Sequence, residues 1–142
     1  MVACGLLLAL ATSATANRTF HTLTAPLSPI DGQPLQQGWV HDIHQNGNVT
    51  GGREVYHVAG AIPNTAFQVR ILFYSGGTCS GDPTLIDTAV LTTNGAGNAN
   101  GAFTFPANHT PTVMTFSAVW ELVGPDGPAY NTPCEVVLIG GK

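Results

Sequence analysis

The sequence predicts an all-β protein, an immunoglobulin-like antiparallel β-sandwich of about seven or eight strands with one disulfide. Three observations support this fold class. Short runs of β-branched and aromatic residues alternate with polar ones, and Gly, Pro and Asn separate these runs at about every 8–12 residues. In addition, no segment after the N-terminal leader has a convincing helical periodicity.

Each expected strand rests on a period of two, in which alternate side chains point to one face. In Phe67–Phe73 the apolar residues alternate with Gln68 and Arg70. In Val113–Leu122 every second residue from Met114 to Leu122 is apolar. The other expected strands are Arg18–Thr24, Trp39–His44, Arg53–Ile62, Thr84–Thr92, Ala102–Pro106 and a last one with Cys134, Val136 and Leu138 on one face.

Two connections stand out by composition. The segment Ala25–Gln37 is rich in proline and predicts either an extended crossing or a flexible stretch. The segment Asn94–Gly101 reads NGAGNANG, which indicates a hairpin loop between two strands.

The N-terminus has the pattern of a secretory signal peptide. An apolar run at Gly5–Ala11 is followed by small residues that end in Ala14-Thr15-Ala16, although no Lys or Arg precedes the run. The run is shorter than the roughly 20 residues that cross a bilayer. We therefore expect a signal peptide at 1–16 and a single secreted domain at 17–142, with a buried N-terminal helix as the alternative for the leader.

Removal of the leader removes Cys4 and leaves Cys79 and Cys134. An exported pair of cysteines favours a disulfide over a metal site, with two free buried thiols as the alternative. The loop between them would contribute roughly 4 kcal/mol on the chain-entropy model.

One short segment resembles a known family. Pro63-Asn64-Thr65-Ala66-Phe67 is similar to the corner of fibronectin type III domains, with Phe67 where that family carries a tyrosine. The resemblance implies an immunoglobulin-like sandwich. The chain is also similar to small exported bacterial β-sandwich proteins that carry a TNxxGN loop, here Thr93–Asn98, before a short F-x-F strand. This second resemblance implies export and fold, and no chemistry.

The first candidate for chemistry is His41-Asp42-Ile43-His44. On a strand, Asp42 and His44 share a face and His41 lies opposite, so a metal site with His21 or His57 is conceivable. The interpretation that we favour over a metal site is a set of polar residues on the solvent-exposed face of a strand. Six of the eight acidic residues are expected in turns or at strand ends, which disfavours a catalytic pair of carboxyl groups.

The amino-acid composition disfavours some classes of function. Charged residues are 8% of the chain and the formal net charge is −4, so no basic patch is available for nucleic acid. No cofactor motif is present. The favoured hypothesis is a secreted, non-enzymatic module that binds a protein or glycan partner. The alternatives are a filament or surface-layer subunit that self-associates by donating the strand Arg18–Thr24, and an enzyme or metal protein that uses His41, Asp42 and His44.

Overall fold

The computed structural model describes residues 20–45, 47, 49–109 and 114–140. The expected signal peptide and the first two residues of the strand expected at 18–24 lie outside these ranges. Within them no helix is long and apolar enough to cross a membrane. The described residues form ten strands: β1 Phe20–Pro26, β2 Ser28–Pro29, β3 Gln37–Gln45, β4 Val49–Ala59, β5 Ala66–Ser75, β6 Thr84–Thr92, β7 Ala99–His109, β8 Met114–Gly124, β9 Gly127–Asn131 and β10 Glu135–Ile139.

The strands form two antiparallel sheets, which confirms the predicted all-β class. The first sheet has the order β1-β3-β4-β7, and the second has the order β2-β9-β8-β5-β6, with β10 beside the first half of β8. The core lies between the sheets, because the buried side chains come from both. The first sheet contributes Val40, Tyr56 and Val58, and the second contributes Phe67, Val69, Ile71, Leu91, Trp120, Leu122 and Tyr130.

The expected alternation in β5 and β8 is confirmed. Phe67 and Val69 are fully buried, and Trp120 of β8 is 1% exposed. Ile71 and Trp120 are direct partners across β5 and β8, so their side chains lie on the same face. Phe116 is half-buried and packs against Phe73, with ring centroids 4.5 Å apart.

The eight expected strands are present, and β2 and β9 are additional. β2 has two residues, too few for a periodic pattern. β9 reads GPAYN directly after Pro125-Asp126, a composition typical of a turn. Its Ala129 and Tyr130 are nevertheless buried, because β9 pairs with β8 and turns these two side chains into the core.

The NGAGNANG segment is not a hairpin loop, contrary to the sequence prediction. It leads from β6 in the second sheet to β7 in the first. The Asn94 side chain accepts hydrogen bonds from the backbone N–H groups of Ala96 and Asn98, and Gly97 has a φ of 76°. A Cβ at Gly97 would lie 2.1 Å from the Ala61 carbonyl oxygen, so the crossing passes too close to the preceding loop for any other residue.

The face predicted for the last strand is also wrong. Val136 and Leu138 are 52% and 38% exposed, whereas Val137 is buried. Val137 pairs directly with Phe116, and this register turns Val137 toward the core. Val136, Val137, Leu138 and Ile139 are all apolar, so composition could not distinguish the two faces.

The predicted disulfide is confirmed. Cys79, in the loop after β5, is bonded to Cys134, which directly precedes β10, with their Cα atoms 5.8 Å apart. The disulfide therefore links the loop between β5 and β6 to the start of β10, which belongs to the same sheet.

The segment that resembles a fibronectin corner forms a tight turn. Asn64 has a positive φ of 51°, and the Thr65 hydroxyl donates to the Pro63 carbonyl. Phe67 has no hydroxyl, but Tyr130 packs edge-on against its ring at 5.5 Å and accepts a hydrogen bond from the Ile62 N–H. A tyrosine therefore holds this turn from a different strand. Membership of the immunoglobulin-like group remains a prediction.

Candidate functional site

Two acidic residues lie inside the sandwich. Asp42 of β3 and Glu54 of β4 are direct partners across the two strands, and they are 2% and 1% exposed. Both strands turn alternate residues inward, so Asp42 follows Val40 and Glu54 precedes Tyr56 on the core side. The expected solvent-exposed position of Asp42 is therefore wrong. A carboxyl group at such a position is costly unless other groups bind it.

Both oxygens of Glu54 are occupied. The indole Nε1–H of Trp120 donates to Oε1 across the gap between the sheets, with a distance of 2.8 Å, and the Tyr56 hydroxyl donates to Oε2. The pKa of Glu54 is raised from 4.5 to about 7, mainly by burial and to a smaller extent by repulsion from Asp42, while the hydrogen bonds from Tyr56 and Trp120 and the nearby His44 oppose the shift. Glu54 thus connects the two sheets through a carboxyl group that changes charge near neutral pH.

The hydrogen bonds around Glu54 can be satisfied in either charge state. The Tyr56 oxygen lies 2.8 Å from Thr88 Oγ1, whose hydroxyl can donate to the Val69 carbonyl. When Glu54 is ionised, Tyr56 donates to it; when Glu54 is protonated, Tyr56 can accept from it and donate to Thr88. Burial and the neighbouring Glu54 raise the pKa of Tyr56, which keeps its hydroxyl protonated.

Only one of the two carboxyl oxygens of Asp42 has a partner among the described residues. Its Oδ2 lies 2.9 Å from His44 Nε2, whereas Oδ1 is buried and has no hydrogen-bond partner among the described residues. The His44 ring lies over Gly52, its direct partner on β4, where a Cβ would come within 2.7 Å of the imidazole. Gly52 therefore creates the space in which His44 reaches Asp42.

An apolar pocket of about 240 Å³ lies between the sheets, and both Asp42 and Glu54 contribute to its lining. Its walls are largely aromatic and aliphatic and include Phe105, Phe116 and Ile139. Met114, at the start of β8, also lines the pocket and is 39% exposed, so this end of the sandwich faces solvent. The pocket combines apolar walls with a few buried polar groups, the usual arrangement of a small-molecule site.

A β-bulge shapes the same end of the sandwich. The register of β4 and β7 shifts between Thr50 and Gly52, where Pro106 and Ala107 together oppose Gly51. Proline cannot donate a ladder hydrogen bond, so a bulge is one of the few positions in a sheet that accept it. Gly51 and Pro106 both line the pocket, and the bulge therefore contributes to its outline.

The structure brings together two of the three predicted candidates. Asp42 and His44 share one face as expected, although that face is the inner one, while His41 lies opposite and its ring nitrogen is 2.7 Å from the Thr24 hydroxyl. His57 stacks on Trp39 and bonds Asn100, whereas His21 is the direct partner of His44 on β1. Among the described residues no group of three or more His, Cys, Asp or Glu side chains is placed to hold a metal ion.

The expectation that six of the eight acidic residues lie in turns or at strand ends is wrong. Asp31, Asp82 and Asp126 lie outside the strands, but Asp42, Glu54, Asp87 and Glu121 lie within them. Sequence reasoning missed Glu54, Tyr56 and Trp120 as one cluster. The alternation of Glu54, Tyr56 and Val58 was the available signal, since Tyr and Val mark a buried face on which Glu54 must also lie.

No family model, no curated protein and no solved structure matches this chain.

Proposed function

We propose that this chain is an exported, non-enzymatic binding module that takes a small ligand into the pocket between its two sheets. The observation that carries the proposal is an apolar pocket partly lined by the buried carboxyl group of Asp42, of which one oxygen has no hydrogen-bond partner in the part of the chain that the structure describes. Native proteins rarely leave such an atom without a partner, and a bound ligand is one way to supply it. A volume of about 240 Å³ is at the small end for ligand sites, which favours a small ligand.

The contacts of Glu54 support binding over catalysis. A general acid or base must reach the proton that it transfers, within hydrogen-bond distance of the reacting atom. Trp120 and Tyr56 already occupy both oxygens of Glu54, and the bond from Trp120 joins the two sheets. Glu54 therefore acts as a structural link and as a source of negative charge, and Asp42 is the group that remains for a ligand.

The pairing of β1 does not support the alternative of strand donation. Phe20–Pro26 is hydrogen-bonded to β3 along its whole length, from the partner Gln45 to the partner Trp39. A strand that is donated to a neighbouring molecule would first have to leave this sheet, and the ladder hydrogen bonds of β3 would lose their partners.

The test is binding of a neutral apolar probe, benzyl alcohol, to the mature protein with its disulfide intact. We expect saturable shifts in the methyl NMR signals of Ile71 and Ile139, which line the pocket, and unchanged signals for Leu85, which lies outside it and is 57% exposed. Shifts confined to Leu85, or no saturable shift at the pocket methyls, would contradict the proposal.

A matched pair of variants identifies the site. Val137→Phe adds an aromatic ring at a residue that lines the pocket, whereas Val136→Phe makes the same change at the next residue, which is exposed. We expect Val137→Phe to weaken benzyl alcohol binding at least tenfold and Val136→Phe to leave it within twofold. Equal affinities of the two variants would mean that the probe binds elsewhere.

Export has its own test. The apolar run at Gly5–Ala11 and the Ala14-Thr15-Ala16 site predict a mature protein that begins at Asn17. Intact-mass measurement of material recovered outside the cytoplasm should give residues 17–142 minus two hydrogens for the disulfide. Recovery of a chain that retains Met1 would contradict the prediction.

A further inference from the structure

We propose that the ligand of this pocket is a small organic cation, an ammonium group that carries an apolar substituent. The inference rests on the proposed function, since it names the chemical class that the same site would take. It follows from three observations: the acidic side chains that line the pocket, the aromatic rings around them, and Asp42 Oδ1, a buried oxygen with no hydrogen-bond partner among the described residues.

The charges favour a cation. Asp42 and Glu54 both line the pocket, and no Lys or Arg side chain is among its lining residues in the described part of the chain. His44 faces Asp42, and its Nε2 is already within 2.9 Å of Oδ2. Glu54 has a pKa of about 7, so above neutral pH a second negative charge adds to the potential. An anionic ligand would be repelled, and like charges in a low-dielectric pocket are costly.

Aromatic side chains line the pocket. Phe73 and Phe116 lie with ring centroids 4.5 Å apart, and Phe105 and Trp120 line the same pocket. Aromatic rings attract cations through their quadrupole, and tryptophan does so most strongly. Several rings together with carboxyl groups form the environment in which proteins bind alkylated ammonium groups. A purely apolar ligand would use the rings but would leave the carboxyl groups uncompensated.

Asp42 Oδ1 favours a ligand that carries a hydrogen-bond donor. Asp42 Oδ1 can accept a hydrogen bond, and it has no partner among the described residues. In a bond from an ammonium N–H both the donor and the carboxylate acceptor are charged, so the ligand also compensates the charge of the buried carboxylate. The pocket holds the volume of about eight water molecules at roughly 30 Å³ each, enough for one ring with a short substituent.

The experiment compares three probes of nearly equal shape: benzylammonium, benzyl alcohol and benzoate. Affinities are measured by calorimetry on the mature, disulfide-intact protein at about pH 8, above the pKa of Glu54. We expect benzylammonium to bind at least tenfold more tightly than benzyl alcohol, and benzoate to bind most weakly. An equal or higher affinity for benzyl alcohol or benzoate would overturn the cation proposal.

Two variants test whether Asp42 causes the preference for benzylammonium over benzyl alcohol. Asp42→Asn keeps an oxygen that can accept from His44 but removes the negative charge, and it should abolish the tenfold preference. Asp31→Asn is the charge-matched control, because Asp31 is exposed in a turn with a φ of 52°, which Asn readily adopts. This control should bind like the unmodified protein. Loss of the preference in both variants, or retention in both, would contradict the assignment to Asp42.

A second pair keeps the proposal testable if Asp42→Asn does not fold. Phe116→Leu removes an aromatic face from the pocket, and Phe103→Leu makes the same change at a half-buried ring that does not line it. Benzylammonium binding should weaken at least threefold more than benzyl alcohol binding in the first variant only. Equal effects on the two probes would contradict a role for aromatic faces in cation binding.

The outcomes separate the two proposals. If benzyl alcohol shifts the methyl signals of Ile71 and Ile139 and benzylammonium has no advantage, the pocket binds ligands but the cation proposal fails. If none of the three probes reaches these methyl groups, the proposed function fails and the cation proposal fails with it.

Discussion

The substitution Glu54→Gln tests whether a buried carboxyl group in the core makes this protein less stable as the pH rises. Glutamine has nearly the same shape as glutamate and never ionises. Its amide oxygen can accept from Trp120 Nε1, and its amide nitrogen can donate to the Tyr56 oxygen, so the link between the sheets can persist. The variant therefore removes the titration and retains the packing.

The size and sign of the effect follow from the pKa of Glu54. The carboxyl group has a pKa of 4.5 when exposed and about 7 in the folded protein, where burial disfavours the charge. Between these two values the folded protein holds a proton that the unfolded chain has released, so the free energy of unfolding falls as the pH rises. The difference of about 2.5 pKa units at 1.36 kcal/mol each gives about 3 kcal/mol.

The assay is urea denaturation followed by tryptophan fluorescence, at intervals from about pH 4 to pH 8, with the disulfide intact. Relative to Glu54→Gln, the unmodified protein should lose about 3 kcal/mol of unfolding free energy across this range. Any constant offset from an unpaired amide hydrogen cancels, because only the change with pH is compared. Glu135→Gln, which removes a carboxyl group at the start of β10, reports the effect of losing a carboxyl outside the pocket.

Two results would refute the reasoning. Parallel stability curves for the unmodified protein and Glu54→Gln would mean that burial does not raise the pKa of Glu54. A difference that changes in the opposite direction, with the unmodified protein gaining stability as the pH rises, would mean that the hydrogen bonds from Tyr56 and Trp120 outweigh the cost of burial.

Three further predictions concern stability. Trp120→Ala should lower the unfolding free energy by about 3–5 kcal/mol, since a fully buried ring is lost; a loss below about 1 kcal/mol in urea denaturation would contradict its place in the core. Reduction of Cys79–Cys134 should lower the midpoint of thermal unfolding while the far-UV circular dichroism keeps its β character. The bridge closes a loop of 55 residues, and this closure stabilises the protein by roughly 4 kcal/mol. An unchanged midpoint would contradict a stabilising role for the disulfide. Gly52→Ala should destabilise the protein by about 1–3 kcal/mol, because its Cβ would displace the His44 ring from Asp42; a stability within about 0.5 kcal/mol of the unmodified protein would show that the ring can move without cost.

The sequence alone determined the fold class and most of its strands. In β5 and in β8 from Ala118 onward the alternation of apolar and polar residues is clear, because alternate side chains are buried and those between them are less so. The pairing of Cys79 with Cys134 also followed from the sequence, since the expected removal of the leader would leave no third cysteine to compete. The placement of Asp42 and His44 on one face follows from the period of a strand.

The tertiary structure decided which of these faces is inside and what lies against it. Nothing local distinguishes Val136 from Val137, and only the register with β8 turns Val137 inward. The crossing at Asn94–Gly101 looked like a hairpin because its turn chemistry is the same whether the chain returns to its own sheet or passes to the other. Asp42 looked like a surface residue because acidic side chains are rarely buried. Tyr56 lies two residues from Glu54 on the same strand, but Trp120 lies on the facing sheet, and its hydrogen bond to Glu54 exists only once the two sheets have packed together.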